Sequence, residues 1–141
     1  MKTVISWEEI AADLMHIHEE RARVYQQALR GAGKMPLDLK AIYERIIEES
    51  KKYAKQLYKK IGRDIQFYSN LYQSWQGVKI TEGERKLVLA GMLDDQLAVL
   101  NVYSAAMASA DGDPEITDVL VIQQEGEKKL YDHIRQYHNA Q

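Results

Sequence analysis

Four stretches of this chain repeat an apolar row at helical spacing, and each row fails near its middle. In "VLVIQQEGEKKLYDHI" (Val119 to Ile134), Val119, Leu120, Leu130 and Ile134 are apolar, but Gln123 and Glu127 occupy the same row between them. The second stretch runs Leu39, Ile42, Ile46, then Tyr53, Leu57 and Ile61, with its gap at Glu49 and Ser50. The first runs Trp7, Ala11, Leu14, then His18 and Arg21, then Tyr25 and Leu29. The third runs Leu89 and Leu93, then Gln96, then Leu100, Tyr103 and Met107, with Asp94 and Asp95 alongside. A period near 3.6 means amphipathic helices. Interruptions at a common height predict a polar layer of His18, Arg21, Glu49, Gln96, Gln123 and Glu127 across a bundle. Each such group buried unpaired costs about 1–3 kcal/mol, so the layer must pair internally, hold a ligand or meet water.

The helix ends are marked. Ser6-Trp7-Glu8-Glu9 reads as a capping box, and so does Thr81-Glu82-Gly83-Glu84. Pro36 suits a first helical turn, and Asp113-Pro114 reads as a cap followed by a first-turn proline. The "GAGK" stretch, Gly62 and "DGDP" stop helices. The expected helices span about 7–30, 36–61, 82–110 and 114–139, in one domain over 1–141. Each is roughly 38 Å long at about 1.5 Å per residue. Two connections are short and imply antiparallel hairpins. The third, 62–81, is long enough to reach the far end of the bundle. The expected fold class is all-α: a ferritin-like four-helix bundle of two antiparallel hairpins joined by a long crossover.

The crossover carries Phe67, Tyr68, Tyr72 and Trp75. Ile65, Tyr68 and Tyr72 have helical spacing, so a short helix laid on the bundle is expected there. These rings either seal the crossover onto the core or form an interaction surface.

Several chemistries are excluded or unsupported. The chain has no cysteine, which removes disulfides, thiolate metal sites and cysteine nucleophiles. A net charge of −2 argues against nucleic acid as a partner. No apolar run is long enough to span a membrane, and the first residues lack a signal-peptide core, so a cytoplasmic location is expected. "RGAGK" lacks the spacing of a phosphate loop, and there is no Gly-x-Ser-x-Gly elbow. "KKYAKQLYKK" reads as a solvated helix face, since Tyr53 and Leu57 belong to the apolar row. His133 and His138 diverge on a helix.

A bundle centre is where di-iron carboxylate proteins bind metal, using Glu-x-x-His on two helices and a Glu on each of the others. No Glu-x-x-His occurs here. The ligands left to an iron or manganese site are Glu20, Glu49, Asp95 and Glu127, with His18 nearby.

The hairpin–crossover–hairpin plan, "HEERARVYQQAL", "YQSWQGVK", "LDDQLAVLNVYSAAM" and "QQEGEKKLYDHIR" resemble an uncharacterised bacterial family of ferritin-like four-helix bundles, a domain of unknown function. The shared features are a tyrosine late in the first and third helices (Tyr25 and Tyr103), a tryptophan before the third (Trp75), and a histidine-isoleucine-arginine ending (His133-Ile134-Arg135). The resemblance implies the fold and a stress-linked role. Asp95 and Gln96 stand where a glutamate would be expected, and the ending lacks the family's gap. The reading is a non-catalytic binding or interaction protein without a cofactor, acting as a homodimer or on a protein partner. The alternative is a carboxylate-bridged iron or manganese protein for storage or oxidation.

Overall fold

Ser6 and Glu9 form the expected box: the Glu9 amide donates to Ser6 Oγ at 3.2 Å and the Ser6 amide to the Glu9 carboxylate at 3.3 Å. The structure, a computed structural model, describes residues 6–63 and 69–141, and its regular elements are all helices. They are α1 (Trp7–Gly31), α2 (Leu37–Ile61), α3 (Asn70–Ser74), α4 (Arg85–Ala110) and α5 (Thr117–Asn139).

Three starts differ from expectation. Pro36 occupies the capping position of α2 rather than its first turn. Thr81–Glu84 forms no capping box. Gly83 has a φ of 117°, off the helical path, and α4 begins at Arg85 with no side-chain cap. The Thr81 side chain instead packs on the backbone of Gly91, filling the space a Cβ would need there. Asp113 caps only a turn, accepting the Glu115 amide at 2.9 Å. The last helix starts three residues beyond Pro114.

Ion pairs place the helix ends. Arg63 and Glu8, at 3.1 Å, set the end of α2 beside the start of α1, and Lys60 and Glu115, at 3.9 Å, bring in the start of α5. Arg85 pairs with Asp38, so α2 and α4 start at one end of the bundle. The chain thus leaves α2 at one end and enters α4 at the other. Between them α3 is seated on α1 by a single carboxylate. The buried Asp13 accepts the amides of Ser69 and Tyr72, at 2.8 and 3.2 Å, and the Ser69 hydroxyl.

Among the described residues, the aromatic rings of the crossover pack on the core. Trp75 is only 8% exposed and packs in the apolar cluster with Leu71, so it does not present an interaction surface. Tyr72 is half-buried, with its ring against His16 and Trp75. Phe67 and Tyr68 lie outside the described residues. The core itself is divided. One cluster holds Ile10, Leu14, Leu57, Trp75 and Leu120, and the other holds Tyr25, Ile46, Leu89, Leu130 and Ile134. The polar layer lies where the two meet. Among the described residues, no helix is long and apolar enough to cross a membrane.

Candidate functional site: the central polar layer

Five of the six expected layer residues are fully buried: His18, Arg21, Gln96, Gln123 and Glu127. Helical spacing explains this. Positions 18 and 21 of α1, and 123 and 127 of α5, continue the apolar rows above and below them. Asp95 is also buried, next to Gln96 on α4, whereas Asp94 is exposed. The sixth, Glu49, is half-buried at the α2–α5 side.

Arg21 organises one half of the layer. Its Nε and Nη2 donate to Asp95 Oδ2 at 3.3 and 3.1 Å, and Nη2 donates to Gln96 Oε1 at 2.8 Å. Nη1 faces Glu127 Oε2 at 3.6 Å. Gln96 cannot flip, because its Nε2 donates to the Glu127 backbone carbonyl at 2.9 Å and also to the Glu127 carboxylate. The Tyr25 hydroxyl donates to Asp95 Oδ2 at 2.9 Å. Burial would lower the Arg21 pKa, but the charges of Asp95 and then Glu127 outweigh it and raise it. The guanidinium therefore stays charged.

His18 and Tyr103 organise the other half. The Tyr103 hydroxyl donates to Gln123 Oε1 at 2.6 Å. That uses its one proton, so at 2.7 Å His18 Nε2 must be the donor to Tyr103. Gln123 Nε2 in turn donates to Gln56 Oε1 at 3.1 Å and to the Tyr53 carbonyl at 3.4 Å. Burial, and then the nearby Arg21 charge, hold His18 down at about 3, so the imidazole is neutral.

The charges do not balance. Arg21 is the one buried cation among the described residues, and it faces both Asp95 and Glu127, while the half-buried Glu49 feels the charges of Arg45, then Arg21 and Lys52. Glu127 Oε1, Asp95 Oδ1 and Glu49 Oε1 accept no hydrogen bond. Burial pushes the Glu127 carboxyl up against the opposing pull of Arg21. Burial, and then the charge of Glu127, raise Glu49 to about 7. Glu49 shares its place with Tyr53, whose hydroxyl sits on Gly126 of α5 where a Cβ would overlap it.

The expected metal ligands are not gathered. Glu20 points away from the layer, accepting from the Tyr72 hydroxyl at 3.3 Å and pairing with Arg23 at 3.6 Å. His18 is engaged with Tyr103, and the Arg21 guanidinium lies between Asp95 and Glu127. No three histidine or acidic side chains among the described residues are grouped so as to hold an ion. The donor set therefore does not fit a di-metal centre. What the layer can do is hold charge and protons away from water.

Apolar patterning could not reveal some participants. Tyr25, Tyr53 and Tyr103 sit in apolar rows and read as rings, yet their hydroxyls take part in the layer. Gln56 lies beside the row. Asp13 had a faint signal, as an acid inside "IAADLM". Comparison with known proteins returns no match to this chain: no family model, no curated protein and no solved structure.

Proposed function

We propose that this chain is a ferritin-like bundle of two hairpins and a crossover that acts as a non-catalytic binding protein, with its central layer structural rather than reactive. The crossover that carries the chain from one end of α2 to the opposite end of the bundle supports the topology. The observation that carries the functional reading is Arg21. A fixed guanidinium stands between Asp95 and Glu127, where a carboxylate metalloprotein would keep its ion. It supplies the positive charge without an exchangeable metal. Most of the layer is also closed to solvent: His18, Arg21, Gln96, Gln123 and Glu127 are fully buried, and Glu49 is half-buried at its edge.

The test is metal content by mass spectrometry. Protein purified without chelator or nickel affinity resin is assayed, then reloaded with Fe(II) and Mn(II). The expected result is no stoichiometric metal before or after reloading. Roughly two ions per chain, lost on Glu127→Gln, would replace this reading with the carboxylate-metalloprotein one.

A further inference from the structure

At the end of the bundle where α1 turns into α2, the apolar core opens into a pocket of about 740 Å³. Its size falls within the range of about 300–1,000 Å³ usual for small-molecule sites. On one side the end of α1 and the residue after it contribute Val24 and Gln27 together with three small residues, Ala28, Gly31 and Ala32. The opposite walls are large and apolar: Met35, Leu39, Ile80 and Val88. Small residues facing large ones keep the space from closing. The Asp38–Arg85 ion pair ties the two helix starts that frame it, so the walls are held from outside the pocket.

Polar side chains share this lining with the apolar ones, and the charged ones among them are of both signs. Lys34 and Glu82 both line it, so it has no net charge to attract an ion. Tyr43 lies on the α2 wall, close enough to Glu82 for that charge to add to burial in raising its phenol pKa. Gln27 and Thr81 add neutral hydrogen-bonding groups. An apolar body with one uncharged polar end matches this lining, whereas an anion would meet Glu82 and a cation would meet Lys34.

We infer that this pocket is the binding site of the protein, and that its ligand is an uncharged apolar small molecule, aromatic or short-chain, with a single hydrogen-bonding end. The inference rests on the reading of the chain as a binding protein and adds the ligand class and the place. It involves none of the central layer.

The test uses N-phenyl-1-naphthylamine, an uncharged apolar fluorophore, with the full chain. The expected result is saturable, blue-shifted emission with micromolar affinity. Ala28→Phe, which fills the pocket, should weaken it about tenfold or more. Ala32→Trp fills the pocket from an exposed position and should do the same with helicity unchanged, which covers the case in which Ala28→Phe fails to fold. The sulfonated analogue 8-anilinonaphthalene-1-sulfonate should bind more weakly than the neutral probe. Absence of saturable binding to the folded chain would overturn the inference, and so would binding that neither filling variant alters. Metal content separates the two claims. A metal-free protein that ignores the probe loses the pocket and keeps the broader reading, whereas stoichiometric metal removes the broader reading whatever the probe does.

Discussion

Around Tyr103 the central layer is neutral, and around Arg21 it is charged. The neutral half is a chain of donors and acceptors, His18 to Tyr103 to Gln123 to Gln56, with contacts of 2.6 to 3.1 Å. It closes without any net charge. The charged half has stronger individual bonds but one buried guanidinium for the buried Asp95 and Glu127, with the half-buried Glu49 between Arg45 and Arg21, and Glu49 and Glu127 are pushed toward their protonated forms. Buried polarity is thus met in two ways, by matching hydrogen-bond roles or by matching charge. Only the first is free of net charge here, and it still leaves the buried His18 Nδ1 without a hydrogen bond.

Removing the cation breaks the charged half most severely. Arg21→Met leaves Asp95 and Glu127 buried without their counter-charge and should cost about 3–5 kcal/mol in urea unfolding. Adding Asp95→Asn and Glu127→Gln to that variant should restore a large part of the loss. If it does not, the guanidinium matters through packing more than charge. Tyr103→Phe strikes the neutral half. It strands His18 Nε2–H and Gln123 Oε1, at about 1–3 kcal/mol for each group left unsatisfied. A cost near zero would mean that water replaces the hydroxyl.

Gly126→Ala tests the seam between Glu49 and the layer. The added methyl overlaps the Tyr53 hydroxyl, and overpacking of this kind costs about 1–3 kcal/mol. Tyr53→Phe in the same chain should recover part of that. An additive pair would show that the hydroxyl does not set the approach of α2 to α5.

The smallest effect is in pH, where the halves should oppose each other. Glu49 is raised from the usual 4.5 to about 7, so the folded chain holds a proton that the unfolded chain has released. Its contribution is present below about 4.5 and is lost as pH rises through about 7. His18 is lowered from 6.5 to about 3, so its contribution is present above 6.5 and is lost as pH falls toward 3. Wild-type stability minus that of Glu49→Gln should therefore shrink as pH rises between about 5 and 8, measured by urea midpoints at each pH. A difference that stays flat would place the Glu49 carboxyl in water.

The long helices were legible because caps, stops and apolar period agree, as at Ser6–Glu9 and Gly62. The start of α4 was not. Thr81–Glu84 has the letters of a capping box, but Gly83 lies at positive φ and Thr81 is held against Gly91. The layer was legible as a set of interruptions in apolar rows, which picked out His18, Arg21, Gln96, Gln123 and Glu127. Its pairing was not, because which acid meets Arg21 depends on how α1 lies on α4, and that is a tertiary property. A tyrosine in an apolar row conceals its hydroxyl, as Tyr25 and Tyr103 did. Trp75 was open to two readings, with sealing of the crossover onto the core preferred, and its burial agrees with that one.

Arg21 with Asp95, His18 with Tyr103, and Gln56 with Gln123 each join the α1–α2 pair to the α4–α5 pair. Together they act as a vernier. A slip of one pair along the other by a single turn, about 5.4 Å, would misalign all three at once, whereas the apolar rows on either side would tolerate it. The layer therefore sets the reading frame in which the two halves mate. The same key fits between molecules, so a dimer built by swapping one half for its counterpart in a second copy would keep each of these bonds.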